Sequence, residues 1–225
     1  MRRYRIDRNT WEAPISVRVQ TASGTTEQYV DPGLFLDDQG QLVLFYLVSE
    51  GIGSDPARCP SGQASCTKVF HSATEVGGSD GAAFTVDAGD RARVNITNDT
   101  ASDPDIFRGP QGYVLYISRG PSVQVYTSND LRGQYQLSAS LPNGTLTNGA
   151  GGVPAGNYDQ NTTQYWTYVH NSPPGGTAVI RRAAHTSLDR QLADSDFTTV
   201  LSGATFPGLG TGFRVESPGF AVNTP

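Results

Sequence analysis

Two runs set the pattern of the chain. Leu42-Val43-Leu44-Phe45-Tyr46-Leu47 and Tyr113-Val114-Leu115-Tyr116-Ile117 are short and apolar, rich in β-branched and aromatic residues, and bounded by Gly and Pro. They do not alternate with polar residues, which predicts strands buried on both faces. The one helix-like stretch, near Arg181 to Leu192, lacks a clear cap and reads better as a strand at its start. The pattern predicts an all-β protein.

The strands recur in units. Asp31-Pro32-Gly33-Leu34-Phe35-Leu36 leads through Asp37-Asp38-Gln39-Gly40 into the first apolar run, and Asp103-Pro104-Asp105-Ile106-Phe107 leads through Gly109-Pro110-Gln111-Gly112 into the second. Gly152-Val153-Pro154-Ala155 precedes a polar turn at Asp159-Gln160-Asn161 and the run Tyr165 to Val169. A fourth start stands at Val215-Glu216-Ser217-Pro218-Gly219-Phe220, and Ile6 to Trp11 reads as the tail of a unit. Starts near 31, 103, 152 and 216 predict four-stranded propeller blades in one domain over 1–225. The expectation is about three full blades with partial blades at both ends. Exposed blade edges would favour self-association. A β-sandwich is the competing architecture.

Composition narrows the class. Gly 26 and Pro 14 in 225 residues demand frequent turns, and charged residues make up only 16%, against roughly a quarter in ordinary globular proteins. Sixteen basic residues against 21 acidic ones give a net charge of −5, with the basic ones scattered. No stripe tracks a phosphate backbone, so nucleic acid is not an expected partner. The longest apolar stretch is far short of the ~20 residues a membrane helix needs. Cys59 and Cys66 sit in a loop of Pro, Gly, Ser and Ala. A disulfide pinning that loop is one reading and two free thiols the other; the spacing does not suit a zinc site. A disulfide would place the chain in an oxidising compartment, secreted or periplasmic, although no signal peptide opens the sequence.

Three unit starts carry an acid beside or near a proline: Asp31, Asp103 and Glu216. If each first strand lines a shared channel, these side chains converge there. Glycoside hydrolysis needs such a set, one carboxyl protonated to release the leaving oxygen and another ionised to activate water. Asp-Pro is also a common turn opener, which is the plainer reading of any single instance.

Tyr29-Val30-Asp31-Pro32-Gly33-Leu34-Phe35, Ser102-Asp103-Pro104-Asp105-Ile106-Phe107 and Val215-Glu216-Ser217-Pro218-Gly219 together resemble the three acid motifs of five-bladed propeller glycosidases. The nearest resemblance is to glycoside hydrolase family 43, the arabinanases, arabinofuranosidases and xylosidases. It implies an inverting hydrolase of arabinose- or xylose-containing polysaccharides, with Asp31 as general base, Asp103 tuning the acid and Glu216 as general acid. The fructan-hydrolysing families of the same clan share a similar trio, with the first Asp as nucleophile. The chain departs from the family where the third unit reads Gly151-Gly152-Val153-Pro154, without a carboxylate. A non-catalytic, glycan-binding or structural propeller is therefore the alternative function.

Further candidates follow from the same resemblance. His170 ends the third apolar run, and family members often keep a channel histidine, in some beside a calcium ion. A structural calcium is thus compatible with the resemblance, and no other cofactor or metal is expected. Trp166 and Arg214 are candidate sugar-binding residues with His170, although strand aromatics such as Tyr158, Tyr165 and Tyr168 more commonly build a core. Arg119 and Arg214 are available to pair with channel carboxylates.

Overall fold

The computed structural model describes residues 4–5, 7–49, 55–172, 176–203, 215 and 218. All elements longer than three residues are strands. A small hairpin of β1 (Tyr4–Arg5) and β2 (Thr10–Trp11) stands first. Among the described residues these two strands pair with each other, and Ile6, the first residue of the expected blade tail, lies outside them. The segment that does join the first blade is β3 (Arg18–Gln20), which lies parallel to β7 at the sheet's edge.

Blade one contains β4 (Tyr29–Leu36), β5 (Leu42–Val48), β6 (Ser65–Glu75), β7 (Ala83–Val86) and β8 (Ala92–Thr97). Its order is β3-β7-β6-β5-β4, with β8 also on β6. The 11 residues of β6 are long enough to serve both: Ala73 to Glu75 pair with β7, and Ser65 to Phe70 with β8. Blade two contains β9 (Ser102–Gly109), β10 (Gly112–Arg119), β11 (Ser122–Ser128), β12 (Gln136–Leu137) and β13 (Thr145–Asn148), in the order β12-β11-β10-β9 with β13 on β11. Blade three is the four-stranded sheet β14 (Gly152–Asp159), β15 (Gln164–Asn171), β16 (Val179–His185) and β17 (Thr198–Leu201). The three sheets, antiparallel apart from the β3–β7 pair, have β4, β9 and β14 as their edge strands, beginning at residues 29, 102 and 152 beside the expected starts at 31, 103 and 152. Of the fourth start only Val215 and Pro218 fall among the described residues.

The unbroken apolar runs have a simple cause. On β10, Leu115 and Ile117 pack towards blade one with Phe45, Leu47 and Phe70. Their neighbours Val114 and Tyr116 pack towards blade three with Tyr165 and Val169. A strand sandwiched between two blades presents successive side chains to opposite cores, so it cannot alternate with polar residues. Each fully buried large side chain contributes roughly 1.5–3 kcal/mol, and these layers join the blades.

Polar contacts fix the blades to each other. Arg132, in the loop after β11, donates from Nη2 to Asp37 Oδ2 of blade one at 2.8 Å and from Nε to Thr74 Oγ1 at 2.8 Å. The Asp37 side chain is only 6% exposed. Burial pulls its carboxyl upward, but Arg132 and the N–H groups of Gln41 and Gln39 overcome this and hold it below the usual carboxylate range. Arg132→Ala should therefore cost about 2–3 kcal/mol in urea-induced unfolding. This lies below the 3–5 kcal/mol of a fully buried pair because Arg132 is one-third exposed. A loss under 0.5 kcal/mol would show that the pair does not brace the interface.

The disulfide reading holds in the structure. Cys59 and Cys66 are bonded, with Cα atoms 5.5 Å apart, and both pack against the core between blades one and two. The bond tethers the loop between β5 and β6 to the first turn of β6.

Candidate active site

The three innermost strands β4, β9 and β14 share one local device. Each has a register shift against its neighbour near its start, and each places a non-glycine residue in the left-handed region there: Asp31 at φ 50°, Asp103 at 46° and Val153 at 45°. Each is followed by proline. A residue preceding proline is pushed out of the ordinary helical region, and a bulge re-aims the side chain at the strand's end. Aspartate tolerates this conformation. Valine, branched at Cβ, does so at a cost of about 1–2 kcal/mol. Val153→Asn should accordingly raise stability to urea by about 1 kcal/mol, and an equal loss instead would place Val153 in a packing role.

Asp31 and Asp103 are brought together. A Cβ on Gly33 would lie 2.5 Å from the Pro104 carbonyl oxygen, so β4 and β9 approach as closely as only glycine permits. The Asp103 backbone N–H donates to the Asp31 carboxylate. Burial first, and then the Asp103 charge, raise the Asp31 carboxyl above its ordinary value, with that N–H bond offsetting part of the rise. Asp103 in turn accepts from Ser102 Oγ through Oδ2 at 2.6 Å. Two half-buried carboxylates with unequal surroundings can divide acid–base work, since the more perturbed one takes a proton more readily.

The third equivalent position holds Val153, whose N–H donates to Ser118 Oγ at 3.0 Å. The described site end thus carries two carboxylates and one aliphatic side chain. Glu216 and Arg214 lie outside the described residues. His170 pairs with Gly152 at the start of β14 and lines a cavity with Val153. Its Nε2 lies 3.2 Å from Ser172 Oγ. Tyr165 and Val169 of β15 fill the core with blade two, so Trp166 points to the opposite face of blade three. There Arg182 sits 4.5 Å above the Trp166 ring. Arg119 pairs with Asp99 at 2.6 Å rather than with either site aspartate. Among the described residues, no group of three or more His, Cys, Asp or Glu gathers to hold a metal.

Asp105 is a perturbed carboxyl to which sequence reasoning assigned no role. It sits between blades two and three, opposite Tyr116, and accepts the Gly156 N–H at 2.7 Å. Protein surrounds its carboxyl, and that loss of water pushes it up to about 7 despite the bond from Gly156. A second acid two positions after Asp103, directly before Ile106-Phe107, is the signal that was available.

Solved structures share this fold. A family 117 glycoside hydrolase of the marine bacterium Zobellia galactanivorans is similar over 84% of this chain, at 14% identity and a TM-score of 0.53. An exo-β-1,3-galactanase of Phanerochaete chrysosporium, solved with β-1,3-galactotriose, is similar over 86% at 14% identity and 0.55. A GH43 endo-arabinanase of Bacillus licheniformis is similar over 80% at 20% identity and 0.52. The three sheets are blades of the glycosidase propeller fold. This chain spans 60%, 43% and 61% of those three chains. No protein-family model and no curated protein matches it.

Proposed function

We propose that this chain carries the acid–base site of a glycoside hydrolase acting on arabinose- or xylose-containing polysaccharides with inversion. The observation that supports it most is the Asp31–Asp103 pair, set on matching left-handed bulges of adjacent innermost strands and coupled electrostatically. Asp31 takes a proton from water as its oxygen bonds to the anomeric carbon. Glu216 donates its proton to the glycosidic oxygen as the bond to that carbon breaks. Asp103 tunes the acid and holds Asp31 in place, and the reaction requires no cofactor. The disulfide suits secretion into an oxidising compartment.

The test is hydrolysis of debranched arabinan and arabinoxylan followed by proton NMR, which reads the configuration of the first product. Inversion supports the proposal. Retention would assign the nucleophilic chemistry of the fructan-type relatives instead. Glu216→Gln should abolish turnover of natural linkages and spare aryl glycosides, whose leaving groups need little protonation. Val153 favours a second reading, a glycan-binding propeller without turnover, because the third innermost strand offers no acid. Saturable polysaccharide binding with no product release would establish that reading.

A further inference from the structure

At the hairpin end of blades two and three lies a cavity of about 400 Å³, within the roughly 300–1,000 Å³ range of small-molecule sites. It opens beside the β9–β10 turn. Asp103 lies at the other end of β9, on the order of 20 Å away at about 3.3 Å per residue. Gln111, Asn129, Gln134 and Gln136 line it together with Tyr113 and Tyr165, and no charged side chain does. All four amide residues are exposed, and among the described residues neither their side chains nor the Tyr165 hydroxyl is engaged by another protein group, so they are open to a ligand.

We propose that this cavity is a second carbohydrate-binding site, distinct from the Asp31–Asp103 end. The lining selects the ligand class by exclusion. A charged ligand would lose its water without gaining a counter-charge, and an apolar one would strand the amides. A neutral polyol meets both conditions. Each primary amide offers donors and an acceptor side by side, and each sugar hydroxyl needs one of each. Tyr165 supplies a fixed donor, since its residue is only 8% exposed and its ring is stacked on His185 at 17°. Burial also raises its phenol, so the proton stays. The carbohydrate assignment rests on the function proposed above, while the cavity and its neutral polar lining do not.

Affinity electrophoresis through gels containing debranched arabinan, arabinoxylan or β-1,3-galactan tests it, with calorimetric titration of the matching trisaccharides to separate free sugars from polymer. Gln134→Ala/Gln136→Ala should weaken retention about tenfold and Tyr165→Phe about threefold. Tyr165→Phe keeps the ring, so a folding defect would not explain its effect. Unchanged retention in both cavity variants overturns the inference even if hydrolysis is observed. So does the absence of any retention by the unaltered chain. Retention that falls in the cavity variants without hydrolysis upholds the inference and removes the catalytic reading.

Discussion

Asp31→Asn is expected to lower kcat/KM on natural and aryl-activated arabinosides alike by about 10²–10⁴-fold, the contribution of a positioned general base. Leaving-group quality cannot compensate, because water must lose a proton whatever departs. Asparagine has nearly the same shape and can still accept the Asp103 N–H, so the fold should persist and the loss should be chemical. Asp103→Asn should cost less, and it should also move the acid limb of the pH–rate profile downward. That sign follows from the geometry: removing the Asp103 charge removes one of the three influences that raise Asp31, beside burial and the Asp55 charge, and Asp31 then ionises at lower pH. An acid limb that stays in place would break the proposed coupling. Asp31→Asn with full activity would remove Asp31 from the mechanism altogether.

Stability should fall as pH rises from about 4 to about 7, and Asp105→Asn should abolish most of that fall. Burial pushes the Asp105 carboxyl up to about 7 in the folded chain, from an ordinary 3.8. A group whose folded value is raised contributes its full stability below the unfolded value and loses it as pH climbs through the folded one. Burying the anion between blades two and three, with the Gly156 N–H donating to it, costs on the order of 2–4 kcal/mol above pH 7. Asparagine retains an acceptor for Gly156 and cannot ionise. Urea titrations at pH 5 and pH 8 should differ in the native chain and nearly coincide in Asp105→Asn. Equal pH dependence in both proteins would overturn the assignment. Asp31 is raised in the same direction and remains in both, so the difference between them isolates Asp105.

Much of the blade structure was legible along the chain because the signals are local. Asp-Pro openings, Gly-bearing turns and the two apolar runs mark where innermost strands begin and which strands lie between two cores. The Cys59–Cys66 bond is legible too, because two cysteines in one turn-rich loop, with a spacing unsuited to zinc, read as a disulfide, and the structure bonds them.

By itself the sequence determined that the chain is all-β, that its units open near 31, 103 and 152, and that the third opening lacks an acid. Those properties depend on residue type and short-range order. The tertiary structure alone decided which side chains meet. It brought Asp31 against Asp103, because Gly33 lets β4 approach Pro104. It put Trp166 on the far face of blade three, because alternation on β15 commits Tyr165 and Val169 to the core with blade two, and it set His170 beside Gly152 and Val153. It also converted Asp105 from a motif residue into a buried titrating clasp, because Gly156 on another blade supplies its hydrogen bond and the surrounding protein excludes water. Each of these outcomes depends on distances between strands far apart in the chain, and those distances are set only when the blades pack.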